Sequence, residues 1–108
     1  MPDSLSEFDH VANLLCLQPG VSRSKMFGMP TLKVNGKAFA GLNGENMIFK
    51  LNPDALAQAL ALPEARPFEP MAGRKMKEWV ALPPEQAGRW LEFSGAALQY
   101  VRTLAGKA

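Results

Sequence analysis

Residues 31–51 read TLKVNGKAFAGLNGENMIFKL, and this stretch decides the fold. Two Asn-Gly pairs, Asn35-Gly36 and Asn43-Gly44, separate three short apolar segments. Asn-Gly readily adopts the positive φ angles of tight hairpin turns, whose twist matches that of paired strands. Thr31 to Val34, Lys37 to Leu42 and Met47 to Leu51 are therefore expected as three consecutive antiparallel strands. Leu32 and Val34 alternate with Thr31 and Lys33, as a sheet with one covered face requires. Arg23 to Phe27 is expected to begin the first strand, with Gly28 to Pro30 as a bend or bulge.

Upstream, Ser4 to Leu17 has helical periodicity. Ser4 and Glu7 have capping-box spacing, and Leu5, Phe8, Val11, Ala12 and Leu15 share a face. Pro19-Gly20 ends the helix. Downstream, Asn52-Pro53-Asp54 opens a second helix: Asn caps, Pro fits the first turn and Asp complements the dipole. Leu56 and Leu60 give it an apolar stripe, and Leu62-Pro63 closes it. Short strands are expected at Ala65 to Glu69 and Lys77 to Leu82, before a long helix from Pro83-Pro84-Glu85 to about Leu104. The class is α+β, a two-layer sandwich with an antiparallel sheet and helices on one face, in the order α-β-β-β-α-β-β-α.

The last helix carries two adjoining stripes. Trp90, Phe93, Ala97, Tyr100 and Leu104 form one; Ala87, Leu91, Ser94, Leu98, Val101 and Ala105 form the other. Together they span about half the helix circumference at 3.6 residues per turn. Either the helix is sunk against the sheet and the first helix, or one stripe packs inside while the other meets a partner, most simply a second copy. On the second reading Trp90, Phe93, Ala97, Tyr100 and Leu104 are the candidate partner-binding residues.

With 108 residues, 47% hydrophobic and 20% charged, the composition is that of one globular domain spanning residues 1–108. No apolar run approaches the roughly 20 residues of a membrane span. The acidic N-terminus lacks the order of a secretory signal, and the single Cys16 forms no internal disulfide, so a cytoplasmic location is expected. The net charge of +2 is unevenly spread. Residues 1–22 hold Asp3, Glu7 and Asp9 and no Lys or Arg, whereas Arg23, Lys25, Lys33, Lys37 and Lys50 face only Glu45 in residues 23–50. With Arg74, Lys75 and Lys77, such asymmetry can mark an anion-facing surface or the solvated face of a sheet. Arg23, Lys25, Arg74, Lys75 and Lys77 are the candidate nucleic-acid-binding residues, for weak binding at this low net charge.

Met26-Phe27-Gly28, Asn35-Gly36-Lys37-Ala38-Phe39-Ala40 and Phe49-Lys50-Leu51, followed by Pro67-Phe68 and Met76-Lys77-Glu78-Trp79-Val80 before Leu82-Pro83, resemble the TfoX N-terminal domain family. The resemblance runs from about Arg23 into the last helix, and the chain is more distantly similar to YjbR-like domains. It implies the same helix, three-strand, helix, two-strand, helix order, and it brings no catalytic residues with it. In the bacterial competence regulators that name the family this domain precedes a second one; here a lone domain is expected. Met29-Pro30 departs from the family pattern, which often continues with glycine.

No residue set calls for catalysis, a cofactor or a metal. His10 is the only histidine and lies off the apolar stripe, so it is expected to face solvent. Cys16 sits at the C-terminal end of its helix, where the dipole does not activate a thiol, and is expected to be buried and inert. Glu69 and Glu78 could approach each other across the two later strands, beside Arg74 or Lys77 on a wet surface. Gly73-Arg74-Lys75 lacks the spacing of a phosphate loop. Trp79 and Val80 point to opposite faces; Trp79 is either core or a stacking platform beside Lys77. The sequence thus points to a non-enzymatic interaction or regulatory module that binds a protein partner or itself through the sheet face or the C-terminal helix, with weak nucleic-acid binding as the alternative.

Overall fold

The computed structural model describes residues 4–26, 28–68 and 78–105. Helix α1 (Ser4–Leu15) leads into strands β1 (Val21–Met26), β2 (Met29–Val34), β3 (Lys37–Asn43) and β4 (Asn46–Lys50). Helix α2 (Pro53–Leu60), strands β5 (Arg66–Pro67) and β6 (Trp79–Leu82), a 3-10 segment at Pro84–Arg89 and helix α3 (Trp90–Ala105) follow. All strand pairs are antiparallel, in the spatial order β1-β2-β3-β4-β6-β5. The fold is α+β, with the helices on one face of the sheet.

Its turns follow from local chemistry. Asn35 (φ 51°) and Gly36 (φ 83°) connect the paired residues Val34 and Lys37, the two positive φ angles of a type I′ turn. The second Asn-Gly pair works differently. Asn43 still pairs with Asn46, so the turn residues are Gly44 (φ 64°) and Glu45, with glycine at the first central position as a type II′ turn needs. Asn52 caps α2 by accepting a 2.8 Å hydrogen bond from the Ala55 amide, with Pro53 in the first turn.

Three elements differ from expectation. The stretch read as one bent first strand is a hairpin: β1 pairs with β2 along its whole length, with Gly28 (φ 77°) in the connection, so the meander has four strands. Pro30 is tolerated because the β2–β3 pairing starts only at Thr31. The second difference is a bulge in β3. Leu32 pairs with Ala40 and Lys33 with Ala38, so Phe39 is the extra residue, and both Phe39 and Ala40 are buried. Third, the last helix starts at Trp90. Pro83-Pro84 and Gly88 favour a 3-10 entry, kinked at Gln86 (φ −104°, ψ 18°). At the N-terminus, Ser4 is itself helical and its hydroxyl donates 2.8 Å to the Glu45 carbonyl, tying α1 to the β3–β4 turn.

Strand alternation sorts the sheet into two faces. Leu32, Val34, Ala40, Leu42, Met47, Phe49, Val80 and Leu82 meet Phe8, Val11, Ala12 and Leu15 of α1 and Trp90, Phe93, Ala97, Leu98 and Val101 of α3 in the main core. The opposite face has a second, smaller core of Ile48, Phe68 and Trp79, with Met29, Ala38 and Ala81 packed against it.

Candidate functional site

The stripe proposed for a partner is largely used up by the fold. Trp90, Phe93 and Ala97 are buried against the sheet, which corrects their assignment as partner-binding residues. Ser94, Leu98 and Val101 of the adjoining stripe are buried as well, because α3 lies sunk between α1, α2 and the sheet. The indole N–H of Trp90 has no acceptor among the described residues, so its ring acts through volume rather than through a polar contact. Phe93 packs tilted against Phe49, with centroids 6.3 Å apart. From the first stripe only Tyr100, half-buried, and Leu104, exposed, reach solvent.

Tyr100 is not idle either. Its hydroxyl donates to the Glu78 carboxylate, and that bond, with burial and the carboxylate charge behind it, holds the phenol above its ordinary 10.0. Glu78 has φ 75°, and its carbonyl accepts 2.8 Å from the Leu51 amide. The glutamate expected beside a second acid thus anchors α3 to the end of β4.

Of the basic residues the sequence grouped, Arg23 and Lys25 lie among the described residues. Arg23 and Lys25 alternate with Ser22 and Ser24 on the helix-bearing side of β1, in register with Leu32 and Pro30. The Arg23 guanidinium pairs with Asp9 at 2.7 Å and lies 5.7 Å from the Phe8 ring centroid, so a carboxylate already occupies it. Lys25 is exposed. Arg74, Lys75 and Lys77 lie outside the described residues, as do Gly73 and Glu69.

The opposite sheet face carries a different set of cations, spread from β2 to β5. Lys33 faces Ser22, Lys50 faces Trp79, and Arg66 faces Ala81. The described strand residues of this face include no acid. Period-two alternation from Ile48 to Lys50 was the signal that could have found it. Trp79 does point away from the helices, yet it is only 6% exposed, with Phe68 tilted against it at 6.3 Å and Ile48 beneath. A ring closed off in this way is packing, not a platform for stacking bases.

His10 is exposed and Cys16 is half-buried. Among the described residues no three His, Cys, Asp or Glu side chains are grouped to hold a metal ion, and no helix is long and apolar enough to cross a membrane. The exposed apolar residues instead lie on the helical layer: Leu5, Leu14 and Leu17 from the α1 region, Leu60 of α2, and Leu91 and Leu104 of α3. Arg102 donates 3.2 Å to the Pro19 carbonyl, which holds the last turn of α3 to the loop that ends α1.

The domain is thus an antiparallel α+β sandwich with helices on one face and charged and apolar side chains at its rims. The model of the TfoX N-terminal domain matches residues 13–102, and the chain belongs to that family. Membership goes with a non-enzymatic, regulatory or interaction role. No curated protein and no solved structure matches the chain.

Proposed function

We propose that this domain is a non-enzymatic interaction module that binds a protein partner, most simply a second copy of itself, through the joined C-terminal ends of α1 and α3. One observation carries the reading. Leu14, Leu17 and Leu104 are exposed where Arg102 ties those two ends together, and Leu17 is 80% exposed. Single surface leucines are ordinary, whereas several at one end of a helical layer form an apolar surface that association can cover. Light scattering across a concentration series tests it. A mass that rises with concentration in the parent chain, and that Leu17→Ser abolishes, is the expected result. A strict monomer at high concentration removes the self-association reading.

A second reading rests on Lys33, Lys50 and Arg66, cations on the sheet face away from the helices whose described strand residues include no acid. These side chains can contact the phosphates of a nucleic acid. Fluorescence anisotropy with short single- and double-stranded DNA over a salt series is the test: about three phosphate contacts give a slope of about −3 in log K against log salt. Absence of binding at low salt retires this reading.

A further inference from the structure

Among the described residues strand β1 ends the sheet with no strand beyond it, and that edge has a defined chemistry. Met26 pairs with Met29 across a two-residue connection, which makes it a hydrogen-bonded pair. Bonded and non-bonded pairs alternate, so Ser24↔Thr31 and Ser22↔Lys33 are bonded as well. The residues that alternate with them, Val21, Arg23 and Lys25, turn their N–H and C=O groups away from β2. Two facts agree with this phase. The Val21 amide donates 3.3 Å to Gln18 rather than across to Val34, and Lys25 stands opposite Pro30, which has no N–H. The edge therefore offers the backbone groups of Arg23 and Lys25 to an added strand, and both side chains are cationic.

Most natural sheets blunt such an edge with a bulge, a proline or a covering element. Here β1 is paired over six residues without a register break and contains no proline. Among the described residues charge is its only guard, and charge is selective. In the two registers that keep most of the strand paired, a second copy would set Val21 or Arg23 opposite Lys25, so it brings no acid there and in one register a like charge, which is destabilising. Asp9 already satisfies Arg23, which leaves Lys25 as the cation an incoming strand must answer.

We infer that the β1 edge takes up an extended segment of a partner protein as a seventh, antiparallel strand, with an acidic side chain of that segment opposite Lys25. This rests on the reading of the domain as a protein-interaction module, and it names a surface and a partner chemistry for it. Backbone pairing at Arg23 and Lys25 supplies the affinity, and the Lys25 ammonium supplies the selection.

The probe is a ten-residue peptide alternating glutamate with threonine, titrated against the intact chain and followed by amide hydrogen exchange. Binding is expected to slow exchange at Arg23 and Lys25 and to leave Ser22 and Ser24, already bonded to β2, unchanged. Lys25→Glu is expected to weaken the glutamate peptide by about tenfold and to favour a lysine-threonine peptide instead. Unchanged protection of Ser22 and Ser24 in that variant shows that β1 is still in place. No binding up to about 1 mM peptide overturns the inference. So does binding without new protection at Arg23 and Lys25, or equal affinity for the two peptides. If the peptide fails while Leu17-dependent self-association persists, the edge inference alone falls. If the peptide fails, the chain stays monomeric and DNA binds, the protein-interaction reading falls with it.

Discussion

Replacing Ile48 with alanine tests the second core directly. Ile48 has no solvent exposure although it lies on the sheet face that carries no helix, enclosed by Phe68 and Trp79 with Met29, Ala38 and Ala81 around them. The substitution cuts the side chain back to its Cβ. At about 0.8 kcal/mol per buried methylene the transfer loss is about 2–2.5 kcal/mol. A residual cavity adds to it, but a cluster this small collapses partly around the gap, so the total should fall at about 2.5–3 kcal/mol, in the lower half of the range for such core truncations. In urea unfolding with a slope of roughly 1.5 kcal/mol/M, that moves the midpoint down by about 2 M. In a thermal melt it lowers Tm by about 10–20 °C. Lys50→Ala, on the same strand and the same face, should shift stability by less than about 0.5 kcal/mol. A change for Ile48→Ala as small as that control, at constant slope, would show that the face is open and that Ile48 is an ordinary surface residue.

Tyr100 is the only tyrosine, so its absorbance titration is specific to one site. Its folded-state value is raised by the Glu78 hydrogen bond, so the stability it contributes is present below the unfolded value near 10 and is lost as pH rises through the folded value. The native midpoint should exceed that in urea, and Glu78→Gln should lower it; identical midpoints would refute the bond. Phe68 and Trp79 should show a coupling of about 0.5–1.5 kcal/mol in a double-mutant cycle to leucine, given tilted rings 6.3 Å apart. Additive losses would mean that the rings do not interact. The Arg23–Asp9 pair is nearly half-exposed on both sides, so Asp9→Asn should cost less than about 1 kcal/mol, and less still in high salt. A larger loss, insensitive to salt, would mean that the pair is more enclosed than its exposure indicates.

The parts of this fold that could be read from sequence are those governed by one or two residues. Asn35-Gly36 announces its turn because both residues must take positive φ, and Asn52-Pro53 announces a helix start because the cap and the first turn have local requirements. The Gly28 hairpin was hidden by Met29-Pro30, since proline in a strand normally argues for a bend; only the late start of the β2–β3 pairing makes it harmless. The bulge at Phe39 was hidden for a similar reason. Two consecutive buried residues, Phe39 and Ala40, contradict simple alternation, and which one the ladder skips is settled by its partner strand.

Site residues were less legible because exposure is a tertiary property. The two stripes of α3 show how much of the helix is apolar, but not how much of it the sheet and α1 will cover. Arg23 and Lys25 look alike in sequence; only the fold brings Asp9 and Phe8 to the first and, among the described residues, gives the second no ion pair.

Both sheet faces being occupied changes where function can lie. In a two-layer sandwich the face without helices is the usual broad surface for a ligand, and aromatic residues there suggest recognition. In this domain Trp79, Phe68 and Ile48 turn that face inward on itself at its centre, while α1 and α3 consume the other. Among the described residues, what is left for contact is the perimeter: the paired helix ends with Leu14, Leu17 and Leu104, the cations flanking the second core, and the β1 edge. Contact at a perimeter favours partners that add to the fold, a strand beside β1 or an apolar surface at the helix ends, over ligands that must be enclosed. On the proposed readings the selectivity of the domain lies in a few rim side chains, with Lys25 and Leu17 foremost, and its two cores serve stability.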